Sequence, residues 1–164
     1  MSVVGIDLSS RALHLITLAE DTNDAYAHVV RLDTTRGAAV ERIRRMRDRM
    51  PVRSSYSAYG VTLIAIEKPF HRQAAMSAVP SMVYGALLQL VPADLPLLEL
   101  RADDWRRECA LPLRGARSEL KKASVRFARQ MWEACPHALD DDTAEAFCIA
   151  WAAREIQLRT EAAA

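Results

Sequence analysis

Glycine, cysteine and long apolar runs are scarce in this chain of 164 residues, and each scarcity excludes a class of protein. Only five glycines are present and none directly follows Asp7, which argues against the glycine-rich phosphate loops of actin-like ATPases and sugar kinases. The three cysteines show no CxxC spacing, which argues against a disulfide framework and a zinc cage. No apolar run approaches the roughly 18 to 20 residues needed to cross a bilayer, so we expect no membrane-spanning segment.

The length and composition are typical of a soluble protein with one hydrophobic core. A chain of 164 residues is long enough to bury such a core without disulfides. We therefore expect a single domain covering residues 1–164, with a tail from about residue 157 that frays. A strand pattern begins at once, without the features of a signal peptide, so the cytoplasm is the expected compartment.

The net charge of +1 conceals a strong segregation of charge along the chain. Residues 101–129 carry nine basic and four acidic side chains, whereas residues 133–145 carry five acidic side chains and no lysine or arginine. A basic surface attracts a phosphate backbone, and an acidic pocket beside it attracts cations. This arrangement suits a nuclease, although a solvated helix face also explains a basic run.

Apolar patterning and turn residues predict an α/β fold. Strands are expected at residues 2–7, 12–18, 25–32, 61–66 and 97–100. Helical spacing is found at about residues 37–50, 73–91, 102–109, 117–134 and from 141 onwards. Strand 61–66 is apolar throughout, as is typical of a central strand covered on both faces. The order of these elements predicts a mixed five-stranded sheet flanked by helices.

Four carboxylates occupy positions from which they could bind a divalent metal. Asp7 and Glu67 each end an apolar run, and Asp142 and Glu145 share one face of a helix because they are three positions apart. Each also has a structural explanation, such as a turn at Asp7 or helix capping by residues 140–142. An unpaired carboxylate on an apolar surface is costly, however, and the joint pattern favours a functional role. Oxygen ligands suit Mg²⁺, and two such ions can clamp the attacking and leaving oxygens of phosphodiester hydrolysis.

Three segments of the chain resemble the acidic motifs of RuvC-type Holliday junction resolvases, in the same order and with similar spacing. They are Gly5-Ile6-Asp7-Leu8-Ser9-Ser10, Ile66-Glu67-Lys68-Pro69-Phe70 and Asp142-Thr143-Ala144-Glu145. The likeness covers nearly the whole chain and includes the glycine-and-lysine segment from Gly115 to Lys122.

The resemblance implies a single RNase H-like nuclease domain that resolves four-way DNA junctions by paired symmetrical incisions. It implies two Mg²⁺ ions per active site, for which Mn²⁺ could substitute, and a homodimer. The helix from about Met76 to Leu90 is a candidate dimer interface. The divergence of the motifs and the excess of arginine over lysine would fit a phage or plasmid member, which would act in the cytoplasm of its host.

The resemblance also assigns roles to individual residues. Asp7, Glu67, Asp142 and Glu145 match the catalytic metal ligands, with individual roles that remain interchangeable. A basic residue near the scissile phosphate is matched by Lys122, or less well by Lys121, and its ammonium would stabilise developing negative charge. The predicted DNA contacts on the basic segment are Arg114, Arg117, Lys121 and Lys122.

An aromatic side chain near the junction centre is matched by Phe70, where stacking against an unpaired base is physically sensible. Packing in the core remains the alternative for Phe70.

Two departures from the family pattern concern the acidic motifs. The first motif usually continues Asp-Pro-Gly-Ser, whereas this chain has Asp7-Leu8-Ser9-Ser10, so the turn has a different backbone preference. The last acid is usually Asp, and Glu145 is one methylene longer.

Two other functions stay open: an RNase H-like nuclease that cleaves another DNA, RNA or hybrid substrate, and a junction-binding protein whose acids are structural.

Overall fold

The computed structural model describes residues 2–8, 12–19, 24–31, 39–51, 53–68 and 78–164. Phe70 and Met76 lie outside the described residues, as does the first part of the helix predicted from about residue 73. The strands are β1 (Ser2–Leu8), β2 (Ala12–Leu18), β3 (Ala25–Arg31), β4 (Val61–Glu67) and β5 (Leu97–Leu100). The helices are α1 (Ala39–Arg49), α2 (Arg53–Ala58), α3 (Ala78–Leu90), α4 (Ala102–Glu108), α5 (Arg117–Met131) and α6 (Asp141–Ala162).

The strands form one mixed sheet in the order β3-β2-β1-β4-β5. β2 pairs antiparallel with both β1 and β3, so the first three strands form a hairpin extended by a third strand. β4 and β5 are both parallel to β1, each reached by a helical connection. The predicted α/β architecture with five strands is therefore confirmed, and β1 and β4 lie side by side at the centre of the sheet.

Each face of the sheet is covered by a separate hydrophobic core. On one face, Val4 and Ile6 of β1 pack with Met46 of α1 and Leu87 of α3. On the other face, side chains of β1 and β4 pack against α4 and α6, and Trp105 is completely buried there. Successive residues of a strand point to opposite faces, so Asp7 lies on the α6 side, opposite to Ile6.

Several element boundaries differ from those predicted. The short helix α2 was not predicted, because its sequence RSSYSA has only Tyr56 as a large apolar anchor and shows no helical period. α5 ends at Met131 rather than near residue 134, because Trp132 has an extended backbone conformation. The Trp132 ring stacks on that of Phe147, with 5.3 Å between the ring centroids. α6 continues to Ala162, so the tail from about residue 157 is helical almost to its end, and its fraying stays a prediction.

None of the helices in the described ranges is long and apolar enough to span a membrane. All three cysteines lie within the described residues and are free thiols, with Cys109 and Cys148 buried.

Candidate metal and active site

Asp7 and Glu67 become neighbours through the parallel pairing of β1 with β4. The register aligns Gly5 with Ala65 and Ile6 with Ile66, so the two carboxylates occupy adjacent positions at the ends of adjacent strands. Both side chains are partly buried and lie on the face covered by α6. The sequence pattern predicts Asp7 as the last residue of its strand and Glu67 directly after its strand, and the structure places each within the last two residues of the strand.

α6 brings the second pair of carboxylates to the same edge. One carboxylate oxygen from each of Asp7, Asp142 and Glu145 lies within 4.8 Å of the others. This approach requires a glycine in β1, because a Cβ atom at Gly5 would overlap the backbone carbonyl oxygen of Ala146 and the amide nitrogen of Ala150. The bare backbone of Gly5 therefore sets how closely α6, and with it Asp142 and Glu145, can approach Asp7.

Burial and mutual repulsion perturb the carboxylates strongly. Burial raises the pKa of Asp7 well above its ordinary value, and the charges of Glu67 and Glu145 raise it further. Burial also raises the pKa of Glu67, and a hydrogen bond from Trp105 partly offsets the increase. The pKa of Glu145 is raised by burial too, against the opposing charges of Lys121 and Arg106. The cluster is therefore poorly compensated when all of its members are ionised.

Two residues of α4 hold members of this cluster in place and were not predicted to do so. The Trp105 indole nitrogen donates a hydrogen bond of 2.8 Å to Glu67, and Arg106 donates one of 3.1 Å to Glu145. The Arg106 guanidinium also lies 4.5 Å from the centre of the Trp105 ring. Two features of the sequence could have indicated these roles: the basic run that contains Arg106, and the tendency of a buried indole N–H to find an acceptor.

The two candidate lysines occupy different surroundings. The Lys121 Nζ atom lies 2.5 Å from Asp142 and 3.8 Å from Asp141, and the side chain is 18% exposed. Lys122, the lysine preferred by sequence analysis, is 64% exposed and pairs with Glu119 at 3.0 Å. The structure thus brings Lys121 to the carboxylates and leaves Lys122 on the solvent side of α5, where its DNA contact stays a prediction.

Two residues of the acidic run at 140–142, Asp140 and Asp142, have different roles. Asp140 is the N-cap of α6: its carboxylate accepts hydrogen bonds from the backbone N–H of Thr143 at 2.9 Å and from the Thr143 hydroxyl at 2.7 Å. Burial alone would raise the pKa of Asp140, but these hydrogen bonds and the nearby His14 lower it. Asp142, one residue before Thr143, belongs instead to the group of carboxylates with Asp7 and Glu145.

His14 is a further residue of this region that sequence analysis missed. It is 7% exposed and lies on β2 directly opposite Asp7 in the antiparallel register. Its ring contacts the first turn of α6, with Nδ1 2.9 Å from the Thr143 hydroxyl oxygen. No local pattern marks His14, because its partner is 129 positions away in the sequence.

The two arginines predicted to contact DNA are both exposed. Arg117 is the first residue of α5, is exposed, and lies close enough to Glu67 for its charge to lower the pKa of that carboxyl. Arg114 is exposed in the loop that precedes α5. Both arginines are therefore exposed, Arg117 lies near Glu67, and the contacts of both with DNA stay predictions.

The donor set fits a hard divalent cation. All four carboxylates offer oxygen ligands, which Mg²⁺ and Mn²⁺ prefer over nitrogen or sulfur. Lys121 and Arg106 form ion pairs with Asp142 and Glu145, and the charge of Arg117 also acts on Glu67, but these cations do not offset four clustered carboxylates. Burial, together with repulsion among the carboxylates, raises the pKa values of Asp7, Glu67 and Glu145, and a bound cation would stabilise their ionised forms.

Comparison with solved structures places the fold in the RNase H-like class that the sequence predicted. The chain is similar to Thermus thermophilus RuvC in complex with a Holliday junction substrate, with a TM-score of 0.74, 21% identity and 96% of each chain covered. A second Thermus thermophilus RuvC structure matches with a TM-score of 0.71, 22% identity and 98% of each chain covered.

Similarity also extends to a viral protein. The Fowlpox virus resolvase, in a complex with Holliday junction DNA, matches with a TM-score of 0.59 and 13% identity, over 96% of this chain and 99% of that one. No protein-family model and no curated protein sequence matches the chain. The resemblance to RuvC-type resolvases first seen in three short motifs is therefore supported at the level of the whole fold.

Proposed function

We propose that this protein is a structure-selective DNA endonuclease that depends on divalent metal and resolves four-way junctions by paired symmetrical phosphodiester hydrolysis. The observation that carries the proposal is the group formed by Asp7, Asp142 and Glu145, with oxygens within 4.8 Å of one another. These residues and the adjacent Glu67 occupy one edge of a sheet whose fold resembles that of junction resolvases. Such an enzyme would serve DNA recombination and repair in the cytoplasm, or in the host cytoplasm if a phage encodes it.

The four carboxylates would hold two Mg²⁺ ions, with Mn²⁺ as a substitute. The charges of Glu67, Glu145 and Asp142 all act on Asp7, so Asp7 would be the ligand shared between the two ions. Bound divalent ions activate water and neutralise charge on the phosphoryl oxygens. Trp105 and Arg106 orient Glu67 and Glu145, because each donates a hydrogen bond to the corresponding carboxylate.

Lys121 is the cationic side chain that we assign to the scissile phosphate. Its ammonium already lies 2.5 Å from Asp142, so a phosphate that enters the site would meet it at close range. A positioned ammonium stabilises negative charge that develops on phosphoryl oxygens during the reaction. This assignment favours Lys121 over Lys122, whose side chain pairs with Glu119 on the exposed side of α5.

The junction would be held by a basic surface beside the carboxylates, formed by Arg114, Arg117, Lys121 and Lys122. Phosphate contacts of this kind supply affinity and positioning that do not depend on the base sequence. Phe70 follows Glu67 by three positions and would stack on an unpaired base at the junction centre.

Paired incision of two strands requires two active sites, and we propose that a homodimer supplies them. α3 is the candidate interface, because its sequence AVPSMVYGALLQL contains no charged residue and Met82 is 51% exposed. Met82→Lys would place a charge on this surface and should shift sedimentation from a dimer to a monomer at the same concentration. Sedimentation of the native chain as a monomer at all concentrations would refute the dimer while leaving the metal centre intact.

The decisive experiment is cleavage of a labelled immobile four-way junction beside linear duplex, single-strand and RNA–DNA hybrid controls. Each substrate is incubated with Mg²⁺, with Mn²⁺ and with a chelator. We expect symmetrical paired nicks on the junction alone, and only with metal. Asp7→Asn should abolish cleavage while preserving or strengthening junction binding, because it removes both a metal ligand and a negative charge.

The other outcomes discriminate among the remaining functions. Metal-dependent cleavage of another substrate would retain the metal site and reassign the protein to a different RNase H-like nuclease. Junction binding without metal-dependent cleavage would make the carboxylates structural. Full activity of Asp7→Asn would reject the assignment of the centre.

A further inference from the structure

We propose that His14 is a positioning residue for the metal centre, fixing Asp142 relative to Asp7 through the first turn of α6. This inference rests on the function proposed above, because it concerns the affinity of the same carboxylates for a divalent cation. His14 would not touch the reacting atoms. It would act through Thr143 and Asp140, which form the N-terminus of the helix that carries Asp142.

The place of His14 in the sheet gives it this role. It is the direct antiparallel partner of Asp7, and paired residues of adjacent strands point to the same face. That face is the one on which α6 packs, so the imidazole fills the space between β2 and the beginning of the helix. The ring is almost fully buried, at 7% exposed, and a buried polar ring must satisfy its hydrogen bonds.

The hydrogen bonds around Thr143 determine which atom of His14 donates. The Thr143 hydroxyl has a single hydrogen, which it donates to the Asp140 carboxylate at 2.7 Å. Its oxygen therefore acts as the acceptor toward His14 Nδ1, which is 2.9 Å away and must carry a hydrogen. The same Nδ1 atom lies 3.5 Å from the other oxygen of Asp140. A chain of directed hydrogen bonds thus joins β2 to the N-cap of α6.

The other edge of the imidazole faces the metal ligand itself. His14 Nε2 lies 3.9 Å from an Asp142 oxygen, while Lys121 contacts the second oxygen of that carboxylate at 2.5 Å. Asp142 is therefore confined between a ring on β2 and an ammonium on α5. The first turn of a helix lacks intrahelical acceptors for its N–H groups and frays readily, so contacts from outside the helix decide where Asp142 sits.

The expected consequence is a loss of cation affinity when the hydrogen bond from Nδ1 is removed. Loss of an outer partner that orients a metal ligand typically weakens metal binding by about 10- to 100-fold. His14→Leu keeps a side chain of similar bulk and removes both nitrogens. His14→Asn places an amide N–H close to the position of Nδ1, whereas the longer side chain of His14→Gln places its amide near the position of Nε2.

Isothermal titration calorimetry of the full chain with MnCl2 tests the proposal. We expect His14→Leu and His14→Gln to raise the Kd for Mn²⁺ by about tenfold or more, and His14→Asn to stay within about threefold of the native chain. Thr143→Val removes the acceptor and should weaken binding as His14→Leu does. The double variant should bind no more weakly than Thr143→Val alone, because Thr143→Val already removes the hydrogen bond that His14→Leu removes.

A second readout separates positioning from general damage to the fold. Binding of the four-way junction in the presence of chelator should be unchanged in His14→Leu, because the basic surface on α5 does not involve His14. An equal loss of metal affinity and of metal-free junction binding would indicate a structural defect and overturn the proposal. If His14→Leu does not fold, Thr143→Val decides the matter by the same two measurements.

The remaining outcomes distinguish failure of this inference from failure of the proposed function. A native chain that binds no Mn²⁺ would overturn the metal centre itself, and this inference with it. A native chain that binds Mn²⁺, together with a folded His14→Leu variant of equal affinity, would overturn this inference alone. A His14→Asn variant as weak as His14→Leu would also overturn it, because the donor at the Nδ1 position would then have no effect.

Discussion

Substitution of Gly5 by alanine tests whether the contact between β1 and α6 builds the metal centre. An alanine Cβ at this position would overlap two backbone atoms of α6, the carbonyl oxygen of Ala146 and the amide nitrogen of Ala150. It would also lie 2.8 Å from the Ala150 Cβ atom. Backbone atoms in the middle of a helix cannot rotate away, so α6 as a whole must withdraw from the sheet by roughly 1 Å to restore ordinary contact distances.

The size of the effect follows from this displacement. Overpacking a buried contact costs about 1 to 3 kcal/mol, and the upper end applies because the obstruction is backbone. For a domain of this size each kcal/mol lowers Tm by about 2 to 4 °C, so Gly5→Ala should lower Tm by about 6 to 12 °C. A misplacement of about 1 Å between Asp7 and the ligands on α6 should reduce cleavage by roughly 100-fold at temperatures where the variant is folded.

The assay combines thermal unfolding, followed by circular dichroism, with junction cleavage at a temperature well below both transitions. Gly85→Ala is the matched control, because Gly85 is exposed on α3 and a Cβ atom there meets nothing within 4 Å. That variant should be stabilised by about 0.4 to 1 kcal/mol, and it serves as a control for the Tm measurement alone, because α3 is the proposed dimer interface. A Gly5→Ala variant with a native Tm and native cleavage would refute the argument that this glycine admits α6.

Three further predictions concern the charged groups of the site. Because the folded-state pKa of Asp7 is raised, its protonated form stabilises the fold at low pH, and this contribution is lost as pH rises through the raised pKa. Asp7→Asn should therefore raise the Tm of the metal-free protein at neutral pH, and not at pH near 3. Trp105→Phe removes the hydrogen bond that lowers the pKa of Glu67, so proton competition should weaken Mn²⁺ binding more at pH 6 than at pH 8. Lys121→Met should reduce cleavage by about 10- to 100-fold, whereas Lys122→Met should affect junction affinity alone.

Each of these predictions has an outcome that contradicts it. A Tm advantage of Asp7→Asn that is the same at both pH values would mean that ionisation of Asp7 does not destabilise the metal-free fold. A Trp105→Phe variant whose Mn²⁺ affinity changes equally at both pH values would show cavity formation rather than a shifted carboxyl pKa. Greater loss of cleavage in Lys122→Met than in Lys121→Met would restore the assignment preferred from the sequence.

Much of the fold and the identity of the four acids could be predicted from local patterns. Strand alternation and helical spacing are properties of a few consecutive residues, so five strands and most helices were located within a few positions. The spacing of Asp142 and Glu145 places both on one helix face in any amphipathic helix. The short helix α2 escaped prediction because a segment of six residues with one buried anchor carries too weak a period.

The choice between Lys121 and Lys122 could not be made from the local sequence pattern. Consecutive helical residues point about 100° apart, so only the orientation of α5 against α6 decides which ammonium meets Asp142. The basic segment is visible in the sequence, but the rotation of its helix depends on the buried side chains that anchor it, such as Ala123 and Ala128.

The sequence by itself determined which residue types are available: acids at the ends of two strands, a pair of acids on one helix face, and a basic segment nearby. Only the tertiary structure decided that they meet. The parallel register of β1 with β4 sets Asp7 beside Glu67, and Gly5 lets α6 close over them. The partners Trp105, Arg106 and His14 lie 38, 39 and 129 positions from the residues they contact. Such pairings depend on how whole elements pack, and no local pattern of residues encodes that packing.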